Sequence, residues 1–190
     1  LVLIIRYHKD DAEVMEPCLR YTVPFISTDN VGAFQSCGIC DIVATQLKID
    51  VSNEVFLTSL CFLVGRLCLS SITCASNFSD LGVPLTIVQL LVTYKSTSKL
   101  CRAICVGIRG LCTHGPSIEA MLEHNLCSVL HDAMQLLPHE PKTAAAEIAC
   151  VMAVATNAHH INIFVEAGYC DVILRILDAH LSDPHVVSNV

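Results

Sequence analysis

Apolar residues recur at spacings of three and four along much of this chain, as at Phe56, Leu60, Leu63 and Leu67. That spacing lays one stripe along a helix. The stripe lies in EVFLTSLCFLVGRLC, and KLCRAICVGIRGLC and TAAAEIACVMAVA read the same way. Shorter apolar segments alternate with these long ones: IVATQL from Ile42, TIVQLL from Thr86, VLHDAM from Val129 and VILRIL from Val172. Polar turns such as KIDVSNE and HLSDPH follow the shorter segments, and still shorter helices precede them, at about VGAFQSC, NFSDL, SIEAMLEH and INIFVEA. The pattern therefore predicts units of three helices: short, medium and long.

The units repeat. Phe34 stands four residues before Gly38, Phe78 before Gly82, Met121 before Asn125 and Phe164 before Gly168. The Gly/Asn positions are separated by 44, 43 and 43 residues. Gly and Asn are the residues that most readily take left-handed backbone geometry, so each marks a turn. Leu67, Leu111 and Val154 each lie 29 residues after their Gly/Asn. The opening IIRYHKDDAEVMEPCLRYTVPFI overlays LLVTYKSTSKLCRAICVGIRGLC without a gap, which pairs Phe25 with Leu111. The boundaries expected are a partial repeat at 1–29, repeats at 30–73, 74–115 and 116–159, and a partial repeat at 160–190. Such units cannot bury their apolar faces alone, and stacking supplies the missing wall. Pro17 and Pro24 fall within the first long helix, where a kink or break is expected.

The segment NIFVEAGYCDVILRILDAHLSDPHVV, with its short helix, Gly, Leu/Ile-rich second helix and polar turn, resembles the armadillo repeat family. The period of about 43 and the three-helix division set it closer to armadillo than to two-helix HEAT units. The resemblance implies an all-α, right-handed α-solenoid whose concave groove, lined by third helices, binds protein partners without catalysis. Armadillo proteins that carry nuclear-import cargo line that groove with Trp and Asn. The matching positions here are Arg20, Phe62, Val106 and Ala149 for Trp, and Pro24, Arg66, Gly110 and Ala153 for Asn. The ladder is absent, and the arginines would repel a basic import signal.

Composition narrows the function. The 190 residues are 53% hydrophobic and only 15% charged, which favours a packed core over disorder. The formal charge of −7 argues against nucleic acid, because phosphate neutralisation needs Lys and Arg. No clean run of about 20 apolar residues suggests a membrane span. The opening LVLIIRYHKDD has no basic leader and reads as mid-helix, so the chain is expected to be cut from a longer one.

Twelve cysteines could suggest a disulfide framework, but seven occupy repeated register positions. These are Cys40, Cys127 and Cys170; Cys61 and Cys105; Cys68 and Cys112. That is the pattern of a small apolar filler in a reducing, intracellular and cytoplasmic setting. Cys37-Gly-Ile-Cys40 is a CxxC without a second pair to complete a zinc site. His159-His160 and Cys112-Thr113-His114 fall in inter-repeat turns, and no phosphate loop or nucleophile elbow appears. Asn77-Phe78-Ser79 matches a glycosylation sequon, but reads more simply as the capped start of a first helix. No catalytic residue, metal or cofactor is expected.

The third helices leave one face for a partner. It holds Arg20, Thr58, Phe62, Arg66, Arg102, Val106, Arg109 and Met152, with Lys99, Lys142 and Ala149 beside them. The acidic residues lie mostly on the other helices and turns, with Glu13, Glu16, Glu54 and Glu147 as third-helix exceptions. The reading is a scaffold or regulatory repeat region that binds an extended, acidic-to-neutral protein segment. Its alternatives are a non-catalytic repeat region of a larger enzyme, such as a kinase or ubiquitin ligase, and a chaperone or transport adaptor.

Overall fold

Left-handed backbone sets the rhythm of the structure. Among the described residues, positive φ occurs at Gly38 (73°), Gly82 (74°), Asn125 (64°) and Gly168 (83°). These are the four turn positions of the repeat. The apolar residues four before them, Phe34, Phe78, Met121 and Phe164, are all buried. The computed structural model describes residues 2–9, 11–49, 52–136 and 140–187.

Each left-handed residue joins a first helix to a second. The first helices are α3 (Val31–Ser36), α6 (Ile72–Asp80), α9 (Gly115–Glu123) and α12 (Ala158–Glu166). The second helices are α1 (Val2–Tyr7), α4 (Ile39–Ile49), α7 (Val83–Tyr94), α10 (Leu126–Gln135) and α13 (Tyr169–Ala179). The third helices are α2 (Ala12–Thr22), α5 (Glu54–Ser70), α8 (Ser98–Leu111), α11 (Pro141–Val154) and α14 (Pro184–Val187). No strand occurs among the described residues. Local chemistry fixes several starts. The Asp11 carboxylate accepts from the amides of Glu13 and Val14, and the Asn53 side-chain oxygen accepts from the Phe56 amide. Pro84, Pro116 and Pro141 sit in the first turns of α7, α9 and α11, where a missing N–H costs no hydrogen bond.

The main helix contacts run within a unit or on to the next. Third helices stack in the order α2, α5, α8, α11, α14, and second helices in the order α1, α4, α7, α10, α13. This makes the molecule an all-α solenoid. Polar ties cross the junctions about one repeat apart. Gln46 donates to the Lys9 carbonyl at 2.6 Å, Tyr169 to the Cys127 carbonyl at 2.6 Å and Lys95 to Asp132 at 2.8 Å.

The opening helix departs from the gap-free overlay. Phe25 is 66% exposed, whereas Leu111 is fully buried. The buried stripe of α2, Met15, Leu19 and Thr22, continued by Ile26 after the 3-10 turn, lies a constant 85 residues before Leu100, Ile104, Gly107 and Leu111. The cause is a longer turn. The helix α1 ends at Tyr7 and α2 starts at Ala12, whereas α7 ends at Tyr94 and α8 starts at Ser98. The helix runs through Pro17, and the change of geometry comes at Pro24, inside a 3-10 turn over Val23–Phe25.

Two first helices start earlier than their sequence suggests. The helix α6 begins at Ile72, directly after Ser71 ends α5, so Asn77 lies inside it rather than capping it. Likewise α12 begins at Ala158, and His160 lies in its first turn, buried, rather than in a solvated loop. Asn157 caps that turn by accepting from the His160 amide at 2.9 Å. Among the described residues no single helix is long and apolar enough to cross a membrane.

Candidate functional site

The third-helix face is shaped by how closely neighbouring helices approach. Between α5 and α8 the backbones touch. A Cβ on Gly65 would lie 2.6 Å from the Val106 carbonyl oxygen, and one on Gly110 would lie 2.7 Å from Gly65 Cα. The Gly107–Gly110 pair therefore serves close approach, as small residues inside a helix can. With the corrected register, Pro24 takes the place of Gly65 between α2 and α5, Phe62 that of Val106 and Arg66 that of Gly110. A cavity of about 200 Å³ opens at that junction.

Its lining comes from α2, the 3-10 turn, α5 and the start of α8. Val23, Pro24, Val55 and Phe62 supply apolar walls, and Glu16, Arg20 and Lys99 stand among the polar lining. Thr58 also lines it, with only 7% of its surface exposed. Its hydroxyl donates to the Glu54 carbonyl at 2.7 Å. Ser59 donates to Glu16 at 3.2 Å, and Arg20 Nε lies 3.5 Å from the same carboxylate oxygen.

The other expected residues divide by role. Arg66 Nε donates to the Ile26 carbonyl at 2.8 Å, so this side chain braces the end of the 3-10 turn. Arg102 stacks its guanidinium 5.6 Å from the Phe62 ring centroid. Arg109 is exposed in the last turn of α8, Val106 is half-buried against Gly65, and Met152 is 59% exposed on α11. The register places Tyr21 and Phe25, both exposed, where the overlay had put Arg20 and Pro24. Those two aromatics were missed because one extra residue in the first turn shifts α2 by a third of a turn.

A second feature lies under this face. Glu147, one of the acidic exceptions on the third helices, has no exposed area. Cys101 donates to it at 3.5 Å, and burial raises its carboxyl to about 8. Its register carried the signal: Glu147 is the equivalent of Leu60 and Ile104, both core residues. Thiols nearby are enclosed too, Cys112 only in part. Burial raises Cys61 and Cys112 to about 12 each, and Cys105 and Cys150 of adjacent third helices are fully buried. Thiolate, the reactive form, is disfavoured there. Cys40 and Cys74 share a hydrogen bond that raises the first and lowers the second. Among the described residues no cluster of His, Cys, Asp or Glu has the arrangement of a metal site.

No family model matches the sequence, and no curated protein does. Solved structures match through the fold. A designed armadillo repeat protein solved in complex with the peptide (KR)4 superposes with a TM-score of 0.79 at 14% identity, over 98% of this chain and 76% of that one. Two engineered proteins solved by a structural genomics consortium superpose with TM-scores of 0.82 and 0.80, each at 14% identity over 99% of this chain. They are covered over 75% and 74% of their own lengths. The fold is therefore an armadillo-like α-solenoid.

Proposed function

We propose that this chain is a protein-recognition scaffold that holds an extended segment of a partner protein along its third helices, without catalysis of its own. The observation that carries this reading is the third-helix face itself. On it Lys99, Arg102, Arg109 and exposed apolar groups such as Met152 share one side of a stacked helical array. The armadillo-like fold supports it, since one structural neighbour is a designed repeat protein in complex with a peptide. Stacked helices lie about 8–10 Å apart, so four of them span on the order of 40 Å. An extended chain rises about 3.3 Å per residue, and the face accommodates roughly twelve residues.

The partner is acidic to neutral, because the face is basic although the chain carries a net charge of −7. Nucleic acid fits that overall charge poorly. An intracellular, cytoplasmic setting goes with the reading, because most of the thiols are packed as apolar filler. The test compares proteins captured from a cell extract by the wild-type chain and by Lys99→Glu/Arg102→Glu/Arg109→Glu. For a captured partner, affinity should fall on charge reversal and its salt dependence should flatten. Affinity and salt dependence unchanged by the triple reversal would move the binding surface off the third helices.

A further inference from the structure

We propose that the cavity between α2 and α5 is the anchor point of this face: it takes one large apolar side chain from an acidic segment, whose neighbouring carboxylates meet Arg20, Lys99 and Arg102. The proposal rests on the groove reading above and narrows it from a uniform face to one pocket with a stated chemistry.

The pocket has a cause in the sequence. Between α5 and α8, Gly65 and Gly110 let the backbones touch, which leaves no depth for an inserted side chain. Between α2 and α5 the same positions carry Pro24 and Arg66, and Phe62 replaces Val106. Proline and the two larger side chains keep this junction from closing, and about 200 Å³ remains. Arg66 holds the junction in that form through its bond to the Ile26 carbonyl.

The interior suits an apolar group. Val23, Pro24, Val55 and Phe62 present carbon. Two polar groups of the lining are already engaged: the Thr58 hydroxyl with the Glu54 carbonyl, and the Ser59 hydroxyl with Glu16. A polar side chain inserted here would lose water and gain little in return.

The rim suits carboxylates. Arg20 and Lys99 stand on opposite helices at the cavity, and Arg102 lies over the Phe62 ring. Glu16 is the single acidic residue in the lining, and it already meets Arg20 and Ser59. Three cations around one carboxylate leave the mouth positive. Guanidinium pairs with carboxylates in two-pronged fashion, so an Asp or Glu next to the apolar anchor completes the match. A basic segment would meet like charge at Arg20, Lys99 and Arg102, with Glu16 already paired.

The experiment is selection of a displayed library of random twelve-residue peptides against the full chain, followed by affinity measurements on enriched peptides. The expected result is one large aliphatic residue or Met with Asp or Glu within two positions, and depletion of Lys and Arg. Val55→Glu and Lys99→Glu should each weaken binding by at least about tenfold, equivalent to about 1.4 kcal/mol. Both positions are exposed, so unchanged thermal unfolding will show that the fold is intact. Val92→Glu, exposed on the outer helix α7, should leave peptide binding unchanged. Binding lost in Met152→Glu or Arg109→Glu but unaffected by Val55→Glu and Lys99→Glu overturns the pocket and leaves the groove reading standing. Enriched peptides that are basic, or acidic without an apolar residue, overturn the proposed chemistry. Absence of enrichment, or binding abolished only by Leu174→Glu on the outer helix α13, overturns pocket and groove together.

Discussion

Replacing Glu147 by Gln should stabilise the protein, and by an amount that depends on pH. Glu147 sits at a core position of α11 with no exposed area, and burial lifts its carboxyl from the ordinary 4.5 to about 8. The folded chain therefore holds this proton more tightly than the unfolded chain does. As pH rises above about 4.5 the unfolded state loses the proton first, and stability falls until the folded state also ionises near pH 8. A tenfold change in a protonation equilibrium is worth about 1.4 kcal/mol, so by pH 7 the group costs about 3 kcal/mol. Glutamine has the same shape, cannot ionise, and can still accept the hydrogen bond from Cys101. Urea unfolding followed by circular dichroism between about pH 5 and pH 8 measures the effect. The gap between variant and wild type should widen by a few kcal/mol across that range, with the wild type falling. Parallel stability curves would refute the reasoning, because they would mean that Glu147 ionises in the folded chain as it does in water.

Other substitutions test the packing. Gly65→Ala should destabilise by about 1–3 kcal/mol in chemical denaturation, because its Cβ would fall 2.6 Å from the Val106 carbonyl oxygen and α5 and α8 would have to separate. Asn125→Gly should be neutral or stabilising while Asn125→Ala costs about 1 kcal/mol, because φ is 64° there; equal thermal midpoints for the two would contradict the turn geometry. Leu111→Ala should cost about 2–5 kcal/mol of unfolding free energy, as expected for a fully buried leucine, and a loss under about 1 kcal/mol would contradict its burial.

How far the fold could be read from sequence depended on how many independent signals marked each position. Gly38, Gly82, Asn125 and Gly168 were legible because each has an apolar anchor four residues earlier, and all four take the expected left-handed geometry. The first long helix was less legible. Its turn carries one extra residue, and an overlay without gaps placed Phe25 in the core when Ile26 is there. Once that residue is allowed for, the stripe Met15, Leu19, Thr22 and Ile26 falls into line. Glu147 shows the opposite case: its register is that of the core positions Leu60 and Ile104, although its side chain is acidic. The aligned positions of α11 are Thr143, Glu147, Cys150 and Val154, so the core stripe of that helix is half polar and hides from a hydropathy pattern. The cavity beside Phe62 was not legible, because it arises from what two helices fail to do. It becomes visible only when Pro24, Phe62 and Arg66 are set against Gly65, Val106 and Gly110.

The central claim, that partners bind along the third helices, is tested most directly by site-specific photocrosslinking in cells. A benzophenone amino acid would be placed at Tyr21 or Met152 on the third helices, and at Val92 or Leu174 on the second helices; all four side chains are exposed. The account predicts that the same partner is captured from Tyr21 and Met152, and that its crosslinked peptides map to one acidic segment. Capture of a partner from Val92 and Leu174 but not from the third-helix positions would contradict it.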